Sequence, residues 1–390
     1  MSKGTRSARQ RKNPRNRARL RIWAVVNVVA LVLLVGWVYR NAGQSFAHAS
    51  SGTPVTVSTE AATTAGATTT AGAASASTTE AATIPTKAQI LAETSGTSAK
   101  YFGVSAQDAP WSATAVQAIA KKAGVAPNMV EYYVNWSQKF DPNAVYDAYA
   151  EGALPVITWE PFAGLTGSES GNLNQASYSL TTIIDGGHDA YITAFATAVK
   201  AVKAPVVLRF AHEMDGSWYP WSEGYNGNTS GQYVQAWRHV WTLFQQAGAT
   251  NVIWDWAPNI LRGASNRDLS ELYPGDAYVD WVGVTSYQDT ESTATALLSP
   301  TIDLIREFTQ KPLLISETGA QPGSEKAAFT ADFLSWLPRQ SDVIGFVWNE
   351  ITKAQGAGAN WGFDQDSATL AAFQNGIKGL TLVKVPAVTR

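Results

Sequence analysis

Residues 189–213 read DAYITAFATAVKAVKAPVVLRFAHE, and this stretch contains both halves of the unit that sets the fold. Asp189 to Lys203 is amphipathic at helical period, and Ala204 to Glu213 is a short apolar run of strand type. Moving outward in both directions, the same alternation recurs. Strand candidates are Tyr101 to Ser105, Met129 to Trp136, Leu154 to Pro161, Ala204 to Glu213, Asn251 to Trp256, Val279 to Tyr287, Pro312 to Glu317 and Val343 to Trp348. Helical stretches fall at Ala113 to Ala123, Ala144 to Glu151, Asp189 to Lys203, Gln232 to Ala247, Thr301 to Gln310, Lys326 to Leu337 and Ala368 to Ile377, with a short piece at Asp268 to Leu272. Successive strands start roughly 35 residues apart, the length of a strand plus a crossover helix.

Eight such units predict an α/β chain folded as a (β/α)8 TIM barrel, with chemistry at the C-terminal ends of the strands. A doubly wound open sheet is the alternative, but it ordinarily brings a glycine-rich phosphate loop. Neither G-x-G-x-x-G nor G-x-x-x-x-G-K-[ST] occurs.

The strand ends can then be read for chemistry. In the fourth strand, period-2 alternation puts Arg209, Ala211 and Glu213 on one face and Leu208 and Phe210 on the other. The apolar face must meet the helices, so Arg209 points into the barrel, a costly place for a guanidinium without carboxylate partners. The seventh strand offers one: Leu313, Ile315 and Glu317 share a face, with the acid last. Glu213 and Glu317 thus face each other across one mouth, as glycosidic bond cleavage requires of an acid and a nucleophile or base. A purely structural ion-pair network around Arg209 is the competing reading.

The surroundings favour chemistry on sugars. Trp136, Trp159, Trp218, Trp221, Trp256 and Trp348 fall at or just past strand ends, with Tyr287 closing the sixth strand. Flat aromatic faces suit the C–H faces of pyranose rings, and indole and phenol groups bond hydroxyls. Trp218, Trp221 and Trp348 are the expected substrate contacts, whereas Trp237, Trp241 and Trp336 lie on helices and are expected to pack.

Other chemistries lack support. The 390 residues contain no cysteine and four histidines, His48, His188, His212 and His239, which excludes thiol catalysis and disulfides and argues against a metal cage. His212-Glu213 begins like H-E-x-x-H, but Gly216 stands where the second histidine belongs. There is no G-x-S-x-G elbow and no EF-hand loop. No cofactor or metal is called for.

The segment from Arg209 to Trp221, RFAHEMDGSWYPW, resembles the acid/base signature of glycoside hydrolase family 26. Ile157-Thr158-Trp159-Glu160-Pro161, Ala236-Trp237-Arg238-His239-Val240, Trp256-Ala257-Pro258-Asn259 and Ile315-Ser316-Glu317-Thr318-Gly319 extend the likeness over roughly residues 100 to 380. The resemblance implies a retaining (β/α)8 hydrolase with Glu213 as acid/base and Glu317 as nucleophile, their carboxyls about 5 to 5.5 Å apart. It further implies that His212 and Tyr287 adjust the nucleophile and the first sugar site, with Trp218 and Trp348 as platforms. Arg209, Trp221 and Trp159 complete the set of substrate-binding or supporting residues.

For substrate, β-1,4-mannan attacked internally is the first expectation. Many β-mannanases of that family carry R-P-x-H-E and a W-F-W-W type run, where this chain has Arg209-Phe210-Ala211-His212-Glu213 and Trp218-Tyr219-Pro220-Trp221. Mixed-linkage β-1,3-1,4-glucan, β-1,3-xylan or an exopolysaccharide are the alternatives. A non-catalytic, membrane-tethered carbohydrate-binding protein is the reading from another class, and two intact glutamates count against it.

The N-terminal region differs from the rest. Residues 1–22 hold nine bases (Lys3, Arg6, Arg9, Arg11, Lys12, Arg15, Arg17, Arg19, Arg21) and no acid, leaving 20 of the 29 bases against 31 acids in the remainder. An acidic body argues against nucleic-acid binding. Residues 23–39, WAVVNVVALVLLVGWVY, carry no charge and are just long enough for a transmembrane helix. The flanking bases orient this segment with the N-terminus inside and the body outside. A membrane-anchored protein at the cell surface is expected; Ala47-His48-Ala49 offers the alternative of signal cleavage and secretion. Residues 40–97 read as a linker, at its plainest in the Ser/Thr/Ala tract of Ser58 to Thr83, which lacks apolar area to offset chain entropy and is expected to be disordered. Residues 98–390 form the catalytic domain, expected to be monomeric.

Overall fold

Near-continuous apolar runs such as VVLRF and VIWDW form strands because both faces of a parallel sheet in a barrel are covered. The computed structural model describes residues 83–389 apart from 96–97, 167, 267 and 356; the basic tail, the apolar stretch 23–39 and the Ser/Thr/Ala tract up to residue 82 lie outside the described residues. Eight strands, β1 (Tyr101–Ser105), β2 (Met129–Asn135), β3 (Leu154–Glu160), β4 (Val206–Phe210), β5 (Val252–Trp256), β6 (Trp281–Gln288), β7 (Leu313–Ala320) and β8 (Val343–Asn349), pair in parallel in sequence order. Closure comes from β1 against β8, with Tyr101 opposite Gly345 and Ser105 opposite Asn349.

Several helices begin where a side chain caps them. Helix α1 is Lys87–Thr94, α2 Ala113–Ala123, α3 Pro142–Ala150, α4 Glu169–Leu173, α5 Leu180–Ile184 and α6 Asp189–Val202. After β4 come α7 (Gln232–Ala247), α8 (Ala294–Arg306), α9 (Lys326–Trp336) and α10 (Ser367–Ile377). Ser112, Asp141, Thr293 and Asp366 each accept from a first-turn amide at the starts of α2, α3, α8 and α10. Among the described residues no helix is long and apolar enough to cross a membrane.

Four expectations are corrected. The linker does not extend to residue 97: Thr86 and Gln89 form a reciprocal capping box, and α1 buries Ile90. Lys87 Nζ donates to the Val252 carbonyl and pairs with Asp280 at 2.7 Å, fastening α1 to the N-terminal ends of β5 and β6. The helix expected at Thr301 to Gln310 begins at Ala294 and carries Pro300 within it, a residue that removes one N–H from the ladder and crowds the carbonyl four residues before it. Asp268 to Leu272 makes turns rather than a helix. The fourth strand stops at Phe210, three residues before Glu213.

The seventh strand also departs from simple alternation. Pairing with β6 runs Gly283 to Leu314 and then Thr285 to Glu317, a slip in register. As a result the consecutive residues Ser316 and Glu317 both reach interior groups, Asp255 and Arg209 respectively, which a regular strand forbids.

Candidate active site

The site is built around Arg209, buried at 0% exposure on β4. Its Nη1 donates to Glu317 Oε2 at 2.9 Å, to Glu131 Oε1 at 3.2 Å and to Thr158 Oγ1 at 3.2 Å. Its Nη2 donates to the Thr285 hydroxyl. The guanidinium is thus the cation shared by two buried carboxylates, and both hold its charge firmly. Glu317 takes its second donor at Oε1, from the Tyr287 phenol at 2.6 Å, while Asn349 Nδ2 donates to that phenol oxygen at 2.6 Å. Both oxygens of Glu317 are therefore oriented by residues from β4, β6 and β8.

Glu213 lies across from this carboxylate on a contorted stretch of backbone. Ala211 and Glu213 have φ of 45° and 52°, a left-handed region that non-glycine residues enter only when surroundings impose it. The restraints are visible: Ala211 N–H donates to the Trp159 carbonyl at 3.0 Å and Glu213 N–H to the Ala257 carbonyl at 2.7 Å. Trp221 Nε1 donates to the His212 carbonyl at 2.7 Å, and the Tyr233 hydroxyl donates to the Ala211 carbonyl at 3.1 Å. Trp218 Nε1 donates to Glu213 Oε2 at 2.6 Å. That indole occupies space left by Gly216, where a Cβ would come within 2.5 Å of the ring.

Burial, and then the charge of Glu317, push the Glu213 carboxyl up to about 7; Arg209 and hydrogen bonds from Trp218 and Thr285 pull the other way. A carboxyl of this kind is protonated in a useful fraction near neutrality, as a general acid must be. His212 is held neutral, its pKa driven well down by burial and by Arg209, and its Nε2 shares a hydrogen bond with the Tyr219 hydroxyl at 3.1 Å. Beneath the pair, Glu131 is pushed up to about 8 and Asp255 to about 7, both chiefly by burial. Thr158 donates to Glu131 at 2.5 Å and Ser316 to Asp255 at 2.7 Å.

The expected tryptophans divide. Trp218 and Tyr287 stand at the mouth at 8% and 9% exposure. Trp159 does not: it is fully buried, stacked on Phe195 at 4.5 Å and packed against Phe244 and Phe210, behind the barrel wall. Trp348 likewise lies among Phe333, Phe346, Phe363 and Phe373. Trp256 packs on Tyr273 and Phe308, and Trp136 on Trp159 and Phe210. Trp221 is fully buried and stacked on Tyr219 at 4.2 Å, so it braces the His212 backbone instead of presenting a face to substrate. Trp237 and Trp336 are core, as expected.

Sequence reasoning missed several residues. Glu131 and Asp255 are single acids inside apolar strands, a visible signal. Thr285 and Asn349 offered none. Trp361, whose ring lies 4.4 Å from that of Tyr287, sits in the loop after β8 and has no periodicity to reveal it. Among the described residues no cluster of three or more His, Asp or Glu side chains is arranged for a metal ion. A cavity of about 390 Å³ opens at the opposite end of the barrel, among Lys87, Trp241, Tyr278 and Asp280, and contains none of these carboxylates.

Residues 174–319, which include Arg209, Glu213, Tyr287 and Glu317, match the family model described as glycosyl hydrolase family 26. The chain belongs to this family. Endoglucanase H of Acetivibrio thermocellus is 31% identical over 279 residues, which make up 68% of this chain and 29% of that protein. The mannan endo-1,4-beta-mannosidase A and B of Caldalkalibacillus mannanilyticus is 28% identical over 174 residues, 42% of this chain and 31% of that one. The chain thus spans about a third of the length of these curated relatives. Among solved structures, the catalytic domain of a Bacillus sp. JAMB-750 family 26 endo-beta-1,4-mannanase superposes with a TM-score of 0.60 at 17% identity, covering 77% of this chain and 90% of that one. That likeness is one of fold.

Proposed function

We propose that this glycosyl hydrolase family 26 protein cleaves a β-linked polysaccharide internally by double displacement. The supporting observation is the asymmetry of its two carboxyls: Glu317 has donors on both oxygens, while Glu213 sits buried with its pKa raised to about 7. Glu317 attacks the anomeric carbon as the glycosidic C–O bond breaks, and Glu213 delivers its proton to the departing oxygen. Water then attacks the glycosyl-enzyme ester and gives its proton to Glu213, which restores both groups. Arg209 and Tyr287 keep the nucleophile aimed, and Trp218 and Trp361 present aromatic surface to the sugars beside it.

β-1,4-Mannan is the first substrate, supported by the likeness to mannan endo-1,4-beta-mannosidases. A β-glucan is the second reading, and the longer match to an endoglucanase, over 279 residues, favours it. The test is reducing-sugar release and anomeric NMR on glucomannan, galactomannan, barley β-glucan and β-1,3-xylan, with Glu317→Ala as control. Product formed with retained configuration and abolished in the control supports the reading; inverted product, or retention of polysaccharide in a gel without cleavage, overturns it. We also propose that residues 1–39 hold the enzyme at the cell surface, which fractionation of the producing cells would test.

A further inference from the structure

Trp361 reaches the site on the loop between β8 and α10, and its ring is not part of the main core. It belongs to a small separate cluster with Tyr287, Ile351 and Ala357. Gly319 makes room for it, since a Cβ there would lie 3.2 Å from Trp361 Cβ and 3.1 Å from the Tyr287 ring. So little apolar contact does not by itself fix a loop of this length. Its backbone is instead gripped on both sides of the tryptophan. Lys326, at the start of α9 and 1% exposed, donates from Nζ to the Asn360 carbonyl at 2.6 Å. Trp348 Nε1 donates to the Trp361 carbonyl at 3.1 Å, and Glu350 Oε1 accepts from the Phe363 amide at 2.8 Å. Glu350 is itself tied to β1 through its amide and the Ser105 carbonyl.

We propose that Lys326 and Glu350 form a clasp that positions Trp361 against Tyr287, and so shapes the sugar site beside Glu317. The idea rests on the hydrolase reading for its effect on turnover, but the clasp itself is a matter of geometry. Lys326 commits a buried ammonium to a loop carbonyl. Burial brings its pKa down to about 8, and Glu350, Asp366 and Asp364 restrain that fall. Burial, with Asp364, raises Glu350 to about 8, against which the Phe363 amide, Lys122 and Lys326 act. Both groups are costly to hold where they are, and the loop backbone is what they hold.

The experiment compares Lys326→Met, Trp361→Ala and the double variant, each checked for cooperative melting. With 5-fluorotryptophan incorporated, the Trp361 resonance is assigned by its loss in Trp361→Ala. The expected result is that Lys326→Met shifts or broadens this resonance and raises KM about tenfold on the polysaccharide the parent cleaves. Added to Trp361→Ala, it should have no further effect. An unchanged resonance, or losses that simply add in the double variant, overturns the proposal. If Lys326→Met does not fold, Glu350→Ala replaces it, and Glu350→Gln, which keeps an acceptor for Phe363, should restore the parent spectrum. If the parent cleaves none of the polysaccharides, the hydrolase reading fails, and the fluorine spectrum still decides the clasp.

Discussion

The indole N–H of Trp218 donates to Glu213 Oε2 at 2.6 Å, so the residue proposed to stack on a sugar also sets the proton affinity of the proposed acid. The bond favours the ionised carboxylate, against the effect of burial and of Glu317. Trp218→Phe should therefore move the basic limb of the kcat/KM profile upward from about 7, while lowering kcat/KM about tenfold through the lost restraint. A pH–rate series with the two proteins side by side tests this; a limb that stays in place would detach Glu213 from the acid role.

The effect of removing the proposed acid should depend on the leaving group. Glu213→Ala is expected to lose roughly 10²- to 10⁴-fold on polysaccharide, where the departing oxygen needs a proton. Far less should be lost on an aryl glycoside whose phenolate leaves unaided. Equal losses on both substrates would mean that Glu213 does not protonate the leaving group.

Arg209 neutralises a buried cluster, so its loss should show in stability as well as in activity. Arg209→Met leaves Glu317 without its buried cation and Glu131 without a hydrogen-bond donor, at a cost of about 3–5 kcal/mol. Urea denaturation at pH 7 measures it. A loss below about 1 kcal/mol would indicate that the arginine is not the charge partner the cluster depends on.

The same cluster sets a pH dependence of unfolding. Glu131 is raised to about 8, and Glu213 and Asp255 to about 7, whereas in the unfolded chain such groups titrate near 4. Between those values the native state binds more protons than the unfolded state, so stability falls as pH rises. The stabilisation is complete below about pH 4 for these groups and gone above about 8. Lys326, lowered to about 8, adds the opposite slope only from there upward. Melting temperature should thus decline from pH 5 to 8; a rise across that window would show that other groups dominate.

Trp159 separates packing from recognition. Trp159→Ala should cost about 3–5 kcal/mol as a core cavity while KM changes less than about twofold, because the barrel wall stands between this ring and the cleft. Denaturation and initial-rate kinetics on one preparation decide it, and a large rise in KM with little loss of stability would return Trp159 to the cleft.

What the sequence disclosed follows from what periodicity encodes. Continuous apolar runs marked all eight strands, because a barrel buries both faces. Alternation put Arg209 inside, since Leu208 and Phe210 had to meet helices. It reached Glu317 by assuming a regular strand, although a register slip is what turns both Ser316 and Glu317 inward. Trp159 and Trp348 lie behind the wall because standing at a strand end does not say which side of it a ring occupies. Trp159 pairs in register with Phe210, whose outward direction was already evident, but interstrand register is not written in one strand. Trp361 belongs to a loop whose course depends on Lys326, Trp348 and Glu350, three contacts distant in pattern from the ring they place.

Helix α1 gives the barrel a definite back. Lys87 fastens it beneath β5 and β6, and Lys100 and Val388 tie residues 100 and 388 to the same side through Thr381 and Tyr149. Both ends of the described residues therefore lie on the side opposite the mouth. Were the protein held at this end, as proposed above, the cleft would face away from the attachment, like a cup held by its base, with its rim open to a long polymer.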